Sequence, residues 1–288
     1  MYVAQTWQDY ELLDAGGGEK LERWGDALLL RPDPLAVWPA DGDLAQEPRL
    51  TGHYHRAASG GGQWEFRRPL PQDWQVGYRD LRFRIGAMGF KHTGLFPEQA
   101  VNWDWMGARL RAYGRPAEVL NLFAYTGGAT VACAAAGASV VHVDASKGMT
   151  QWAKDNLALS GLASRPVRFL VDDCMKFVLR EGRRGRRYQG IVMDPPSYGR
   201  GPDGQTWKIE EHLVPLVQAC LAILDPDPAF FLINSYTTGL SAGVLRNVLL
   251  ETVAARCGGR VEAEEIGLPL SRRPQLALPC GASGRWQP

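Results

Sequence analysis

The stretch Glu118–Ser146, "EVLNLFAYTGGATVACAAAGASVVHVDAS", decides the fold. An apolar run of strand length breaks at "FAYTGG", restarts as an alanine-rich segment, and gives way to a second apolar run that stops at Asp144. This is the pattern of strand, glycine turn, helix and strand. In an open α/β sheet, ligands settle beyond the carboxyl ends of the strands, where the first glycine turn lets the backbone approach closely. An acid ending the second strand can accept from both hydroxyls of an unphosphorylated ribose, and Asp144 stands at a suitable distance for that. A nucleoside-bearing cofactor is therefore expected. The turn has no G-x-G-x-x-G, so a pyrophosphate suits it less, and a nicotinamide oxidoreductase is the second reading.

Outward from this unit the alternation continues. Strands are expected at "VRFLV", "YQGIVMD" and "AFFLINS", with amphipathic helices at "SKGMTQWAKDNLALSG", "CMKFVLREG", "EEHLVPLVQACLAIL" and "AGVLRNVLLETVAAR". A helix at "EQAVNWDWMGARLRAY" leads in. The fold class is α/β, a doubly wound, mainly parallel sheet.

Residues 1–95 read differently, because short aromatic and β-branched runs alternate with turn clusters such as "DAGGGE", "RPDP" and "PADGD". They are expected to form a small β-rich domain that recognises substrate, with residues 96–288 as the second domain. In "QWEFRRPLP" and "DLRFRIGA", Arg67, Arg68, Arg79, Arg82 and Arg84 fall partly on outer strand faces, as RNA contacts or as soluble surface.

A chain of 288 residues with 45% hydrophobic and 22% charged composition can bury substantial cores, and this balance demands no disorder. The five cysteines are scattered without a C-x-x-C, so neither a disulfide framework nor a metal site is indicated. A reducing, cytoplasmic setting fits that usage. The opening residues carry acids where a signal peptide has basic and then apolar residues, and no apolar window is long enough to span a membrane. The net charge of +1 excludes a uniformly basic surface but leaves room for a local patch. The densest basic run, "LREGRRGRRYQG", is a solvated loop on one reading and a phosphate contact on the other.

Two further strand ends carry acids. "FLVDDCMKF" places Asp172 and Asp173 after the third strand, and "IVMDPPSYG" closes the fourth. Consecutive prolines after Asp194 make a stiff corner, since each fixes its own φ and removes a backbone donor. Such a corner can present Asp194 and nearby carbonyls to a planar, amino-bearing target, while Tyr198 offers a ring.

The order N-L-F-x-Y-T-G-G, V-D-x-S, D-C and D-P-P-S-Y resembles class I S-adenosylmethionine-dependent methyltransferases, over roughly residues 85–280. More narrowly it is similar to the large-subunit 23S ribosomal RNA methyltransferases I and K, as are the entry segment "GFKHTGLFPEQAVNWDW" and the ending "LPCGASGRW". The resemblance implies S-adenosylmethionine as cofactor and a ribosomal or other structured RNA as partner. It implies that Phe123, Ala124, Tyr125, Thr126, Gly127 and Gly128 wrap the methionine part of the cofactor. Asp144, followed by Ala145 and Ser146, would hold the ribose, and Asp173 with Cys174 the adenine amino group. Lys91 and Phe96 would sit over the cofactor pocket. Asp194, Pro195, Pro196 and Tyr198 would line the transfer site.

Carbon methylation of cytosine needs a thiol that adds to the base, and neither the "DPPSY" corner nor "LINSYTTG" supplies one. A nucleobase nitrogen is therefore the favoured acceptor. The corner resembles the D-P-P-aromatic motif of amino-methylating enzymes, yet has Ser197 at the fourth position. A non-catalytic RNA-binding or assembly module is the remaining alternative, opposed by the intact Asp144, Asp173 and Asp194.

Overall fold

Alternating leucines and paired arginines shape the first part of the chain. The structure is a computed structural model and describes residues 1–57, 61–89, 91–200 and 206–288. Its first strands are β1 (Tyr2–Val3), β2 (Tyr10–Gly16), β3 (Glu19–Trp24), β4 (Ala27–Pro32), β5 (Gly52–Arg56), β6 (Gly62–Phe66), β7 (Gln75–Tyr78) and β8 (Leu81–Arg84). Strands β2 to β6 lie in sequence order in one sheet, and β7 and β8 form a separate hairpin. Leu13, Leu21, Leu28, Leu30, Leu44 and Leu50 gather into the core of this unit. Phe90 of the entry segment lies outside the described residues.

The strands also bury charge. Glu22 is fully buried, and accepts from Arg31 Nε at 2.6 Å, from Arg31 Nη2 at 2.9 Å and from the Tyr10 hydroxyl at 2.8 Å. Burial raises its carboxyl, but Arg31 and Lys20 outweigh that and hold it at about 2. A buried acid so paired is costly to break from one side.

From residue 100 the helices and strands alternate: α1 (Ala100–Tyr113), β9 (Glu118–Leu122), α2 (Gly128–Ala135), β10 (Ser139–Asp144), α3 (Lys147–Leu159), β11 (Val167–Val171), α4 (Cys174–Arg183) and β12 (Gly190–Met193). There follow β13 (Tyr198–Arg200), β14 (Thr206–Lys208), α5 (Ile209–Leu221), β15 (Phe230–Ser235), α6 (Ala242–Leu249), a π-helical turn, α7 (Ala255–Cys257), β16 (Arg260–Pro269) and β17 (Ala277–Gln287). The large sheet has the order β16-β17-β15-β12-β9-β10-β11, with β1 at the edge beyond β16. Strands β11, β10, β9, β12 and β15 run parallel, and β17 runs antiparallel to β15. The doubly wound, mainly parallel α/β sheet and the β-rich amino-terminal part are thus both present.

Strand order reverses between β9 and β12. The crevice at their carboxyl ends is the place such a sheet offers a ligand. Behind it, the Asn102 side-chain amide of α1 donates to Asn234 of β15 at 2.9 Å and to Ser283 of β17 at 2.8 Å, while Arg285 Nη2 donates to Asn102 Oδ1 at 2.7 Å. This buried polar set fixes α1 and β17 against the end of β15.

Two compact units result, Met1–Ala100 with Gly267–Cys280, and Val101–Ile266 with Gly281–Pro288. By sequence pattern Gly267–Cys280 is expected in the second domain, but it packs with the first unit. Within the first unit Arg273 Nε donates to the buried Asp14 carboxylate at 2.8 Å and Arg272 Nη2 to Glu47 at 2.5 Å, so two ion pairs anchor that returning segment.

Candidate functional site

Strand β9 hydrogen-bonds to parallel neighbours on both sides, so its carboxyl end has nowhere to go but out of the sheet. Phe123 (φ 53°) and Tyr125 (φ 50°) take left-handed backbone conformations, which non-glycine residues rarely adopt. The surroundings impose them. The Ala124 amide donates to the Val143 carbonyl at 3.1 Å, and the Tyr125 amide to Asp144 Oδ2 at 2.8 Å. Asn156 of α3 donates to the Thr126 carbonyl at 2.8 Å. Turn, strand end and following helix are one construction.

Both glycines are needed. Gly127 has φ 83°, and a Cβ there would lie 2.8 Å from the Cβ of Ala153; one on Gly128 would lie 2.7 Å from the Trp103 ring. Under α2, Asn121 donates to the Thr130 hydroxyl at 2.9 Å, and Thr130 Oγ1 lies 3.0 Å from His142 Nδ1. Burial, with Lys154 nearby, pushes the His142 pKa down to about 3. This histidine is structural.

Asp144 is half-buried. Its Oδ1 accepts the Ser146 amide and its Oδ2 the Tyr125 amide, each at 2.8 Å. A carboxylate has about four acceptor positions, so two amides leave room for two hydroxyls. Burial pushes its pKa up, against the two amides that pull it down. The remaining acceptor positions therefore fit a ribose with both hydroxyls free. Ala145 and Ser146 follow as expected, and Ser146 also caps α3 through the Met149 amide at 3.3 Å.

The third strand end divides its two acids. Asp172 accepts from Arg180 Nη2 at 2.5 Å and from the Asp173 amide at 2.8 Å, while Asp173 caps α4 by accepting the Lys176 amide at 2.8 Å. Cys174 is buried, its thiol reached by the Phe123 amide, and burial pushes its pKa well up. That contact joins the third strand end to the first turn.

At the fourth strand end the Asp194 amide donates to the Leu122 carbonyl at 3.3 Å, which brings the D-P-P corner beside the first turn. Pro195 is buried and Pro196 exposed; Tyr198 is 56% exposed, so its ring is not part of the core. The Ser197 and Thr237 hydroxyls lie 2.6 Å apart, linking this corner to the loop after β15.

Sequence reasoning missed Trp207 of β14. Its ring lies 5.0 Å from that of Phe123 and its Nε1 donates to the Pro196 carbonyl at 2.7 Å. Only the pairing of β13 with β14 places it there, and no local signal in "QTWKIEEHL" announces that pairing.

Lys91 and Phe96 belong to the first unit. There the Lys91 ammonium donates to the Pro32 carbonyl at 3.3 Å, and Phe96 packs against the His92 ring at 5.6 Å. The arginine run lies at the amino ends of the parallel strands, the opposite edge from the crevice. Arg186 donates to both oxygens of Glu118, at 2.6 and 2.7 Å, and Arg184 to the buried Glu181 at 3.1 Å. Arg187 in turn donates to the Arg186 carbonyl at 2.9 Å, so Arg184, Arg186 and Arg187 are all engaged within the chain. Among the described residues no group of three or more potential ligands could hold a metal, and no helix is long and apolar enough to cross a membrane.

Comparison with known proteins shows the family. A methyltransferase of Agrobacterium tumefaciens, titled as dependent on S-adenosylmethionine, is 34% identical over all of this chain and 93% of its own, with a TM-score of 0.93. A similarly titled protein of Streptococcus mutans shares the fold at 16% identity, over 99% of this chain and 76% of its own, with a TM-score of 0.75. The ribosomal RNA large subunit methyltransferase K/L of Shewanella frigidimarina is 26% identical over 215 residues, 74% of this chain but only 28% of that relative's length. The S-adenosylmethionine-dependent methyltransferase family matches at residues 35–230, about two thirds of the chain, and this protein belongs to that family.

Proposed function

We propose that the protein transfers a methyl group to a nucleobase nitrogen in ribosomal or other structured RNA. The observation that carries the reading is the D-P-P corner held against the first turn, where the neighbouring thiol, Cys174, is buried and engaged by the Phe123 amide. Cys174 and Cys220 are buried, and burial pushes both pKa values far up, so neither offers the thiolate that attack on a cytosine ring requires. Cys257 is exposed, but it ends the helical return that leads away from the carboxyl end of β15. The name of the Shewanella relative supports RNA as acceptor.

Bound S-adenosylmethionine supplies the electrophilic methyl. The chain's own residues then have to align an acceptor lone pair and accept its proton where the acceptor is weak. Asp144 and the Phe123–Gly128 turn are the proposed cofactor cradle, with Ala145, Ser146, Asp173 and Cys174 beside it. Asp194 is the proposed polar partner of the acceptor, on a corner stiffened by Pro195 and Pro196 and extended by Tyr198. The first unit is the proposed RNA-recognition module.

The reading is tested by nucleoside mass spectrometry of RNA from cells lacking the gene. One N-methylated nucleoside should disappear, return with the wild-type gene, and stay absent with Asp194→Ala. An unchanged nucleoside profile rejects RNA as acceptor.

A further inference from the structure

Trp207 touches both turns that bound the crevice. It lies in β14, opposite Gly199 of β13, and its Nε1 donates to the Pro196 carbonyl two residues from Asp194. Its ring also meets that of Phe123, at 5.0 Å between centroids and 57° between planes. Phe123 opens the turn after β9 and Pro196 lies in the corner after β12. These two strands flank the reversal of strand order. His212, from the first turns of α5, stacks on the indole at 5.4 Å and 30°, while its Nδ1 lies 2.8 Å from the Lys208 carbonyl.

The indole is thus held by one hydrogen bond, one tilted ring and one stacked ring, yet it stays partly exposed at the crevice. An aromatic surface already fixed in this way gives up little freedom when a planar ring stacks on it. Its neighbours on the corner are less suited. Ser197 has no ring and is engaged with Thr237, and Tyr198 sits 56% exposed on β13.

We propose that Trp207 is the specificity-determining aromatic of the transfer site, the surface on which the acceptor nucleobase stacks. The proposal rests on the reading of RNA as acceptor. It assigns Trp207 a direct contact with substrate, with Phe123 as a packing neighbour of the indole.

The test uses Trp207→Phe and Trp207→Leu in the full chain, with total RNA from cells lacking the gene and labelled S-adenosylmethionine. Loss of one base stack should lower kcat/KM by about ten- to a hundredfold in Trp207→Leu, mainly through KM for RNA. Trp207→Phe, which keeps a ring, should recover most of that loss. Affinity for S-adenosylhomocysteine, measured by calorimetry, should be the same in all three proteins. Equal activity in the Leu and wild-type proteins overturns the proposal and leaves the RNA reading standing. So does a loss in Trp207→Leu that Phe does not repair, or one matched by lost S-adenosylhomocysteine affinity. If the wild-type protein transfers no methyl to this RNA, the RNA reading fails and takes the proposal with it.

Discussion

The Tyr125 amide donates to the Asp144 carboxylate at 2.8 Å, and this one bond ties the turn after β9 to the end of β10. The left-handed backbone at Tyr125 and the half-buried acid explain each other. The turn needs an acceptor for an amide aimed out of the sheet, and the acid needs donors to stay ionised against burial. A nucleoside that binds Asp144 therefore meets a carboxylate already oriented.

Because no thiolate stands at the transfer corner, turnover should form no covalent protein–RNA adduct. RNA carrying 5-fluorocytosine traps such adducts where they occur. A trapped species that disappears in Cys280→Ser or Cys174→Ser would restore the cytosine-carbon mechanism.

His142 is held near pH 3 in the folded protein and titrates near 6.5 when unfolded. The unfolded chain thus binds the extra proton first. The resulting contribution to stability is complete above pH 6.5 and is lost as pH falls towards 3. Between pH 7 and 5 this amounts to about 2 kcal/mol. Denaturation midpoints at the two pH values should differ more in the wild type than in His142→Gln; equal differences would show that the histidine does not titrate in this way.

In the first unit, Arg31→Leu should leave Glu22 buried without its main partner and lower stability by about 3–5 kcal/mol. The double variant Glu22→Leu/Arg31→Leu should regain part of that loss, as read from denaturant midpoints. A double variant no more stable than Arg31→Leu would mean that the pair is not the coupled unit described.

The arginine loop gives a prediction in the negative. Changing Arg183, Arg184, Arg186 and Arg187 together to Ala should leave RNA affinity and its salt slope unchanged, because the loop lies at the amino ends of the strands and Glu118 and Glu181 occupy two of its cations. A flatter salt dependence in a binding series would place phosphate there after all.

Apart from the short strands β13 and β14, the alternation from α1 to β15 was legible because each element there carries its own hydrophobic period and its own turn residues. Asp144 was legible for the same reason: it ends a strand that begins after a glycine turn. Trp207 was not, since a three-residue strand has too few positions to show a period, and its partners Phe123 and Pro196 are brought to it only by the sheet. Strand β16 was hidden by the charges in "RVEAEEIGLP", whose first six residues are exposed or only partly buried and whose buried residues begin at Ile266. The return of Gly267–Cys280 to the first unit depends on Arg273 meeting Asp14, a pairing 259 residues apart that no local pattern encodes.

Calorimetric titration of Asp144→Ala with S-adenosylmethionine tests the proposed cofactor site most directly. Loss of a charge-assisted contact to the ribose is worth about 1.5 to 3 kcal/mol, so affinity should fall at least tenfold while the protein keeps its fold. Unchanged affinity in that variant would contradict the assignment of Asp144 and, with it, the placement of the cofactor at the ends of β9 and β10.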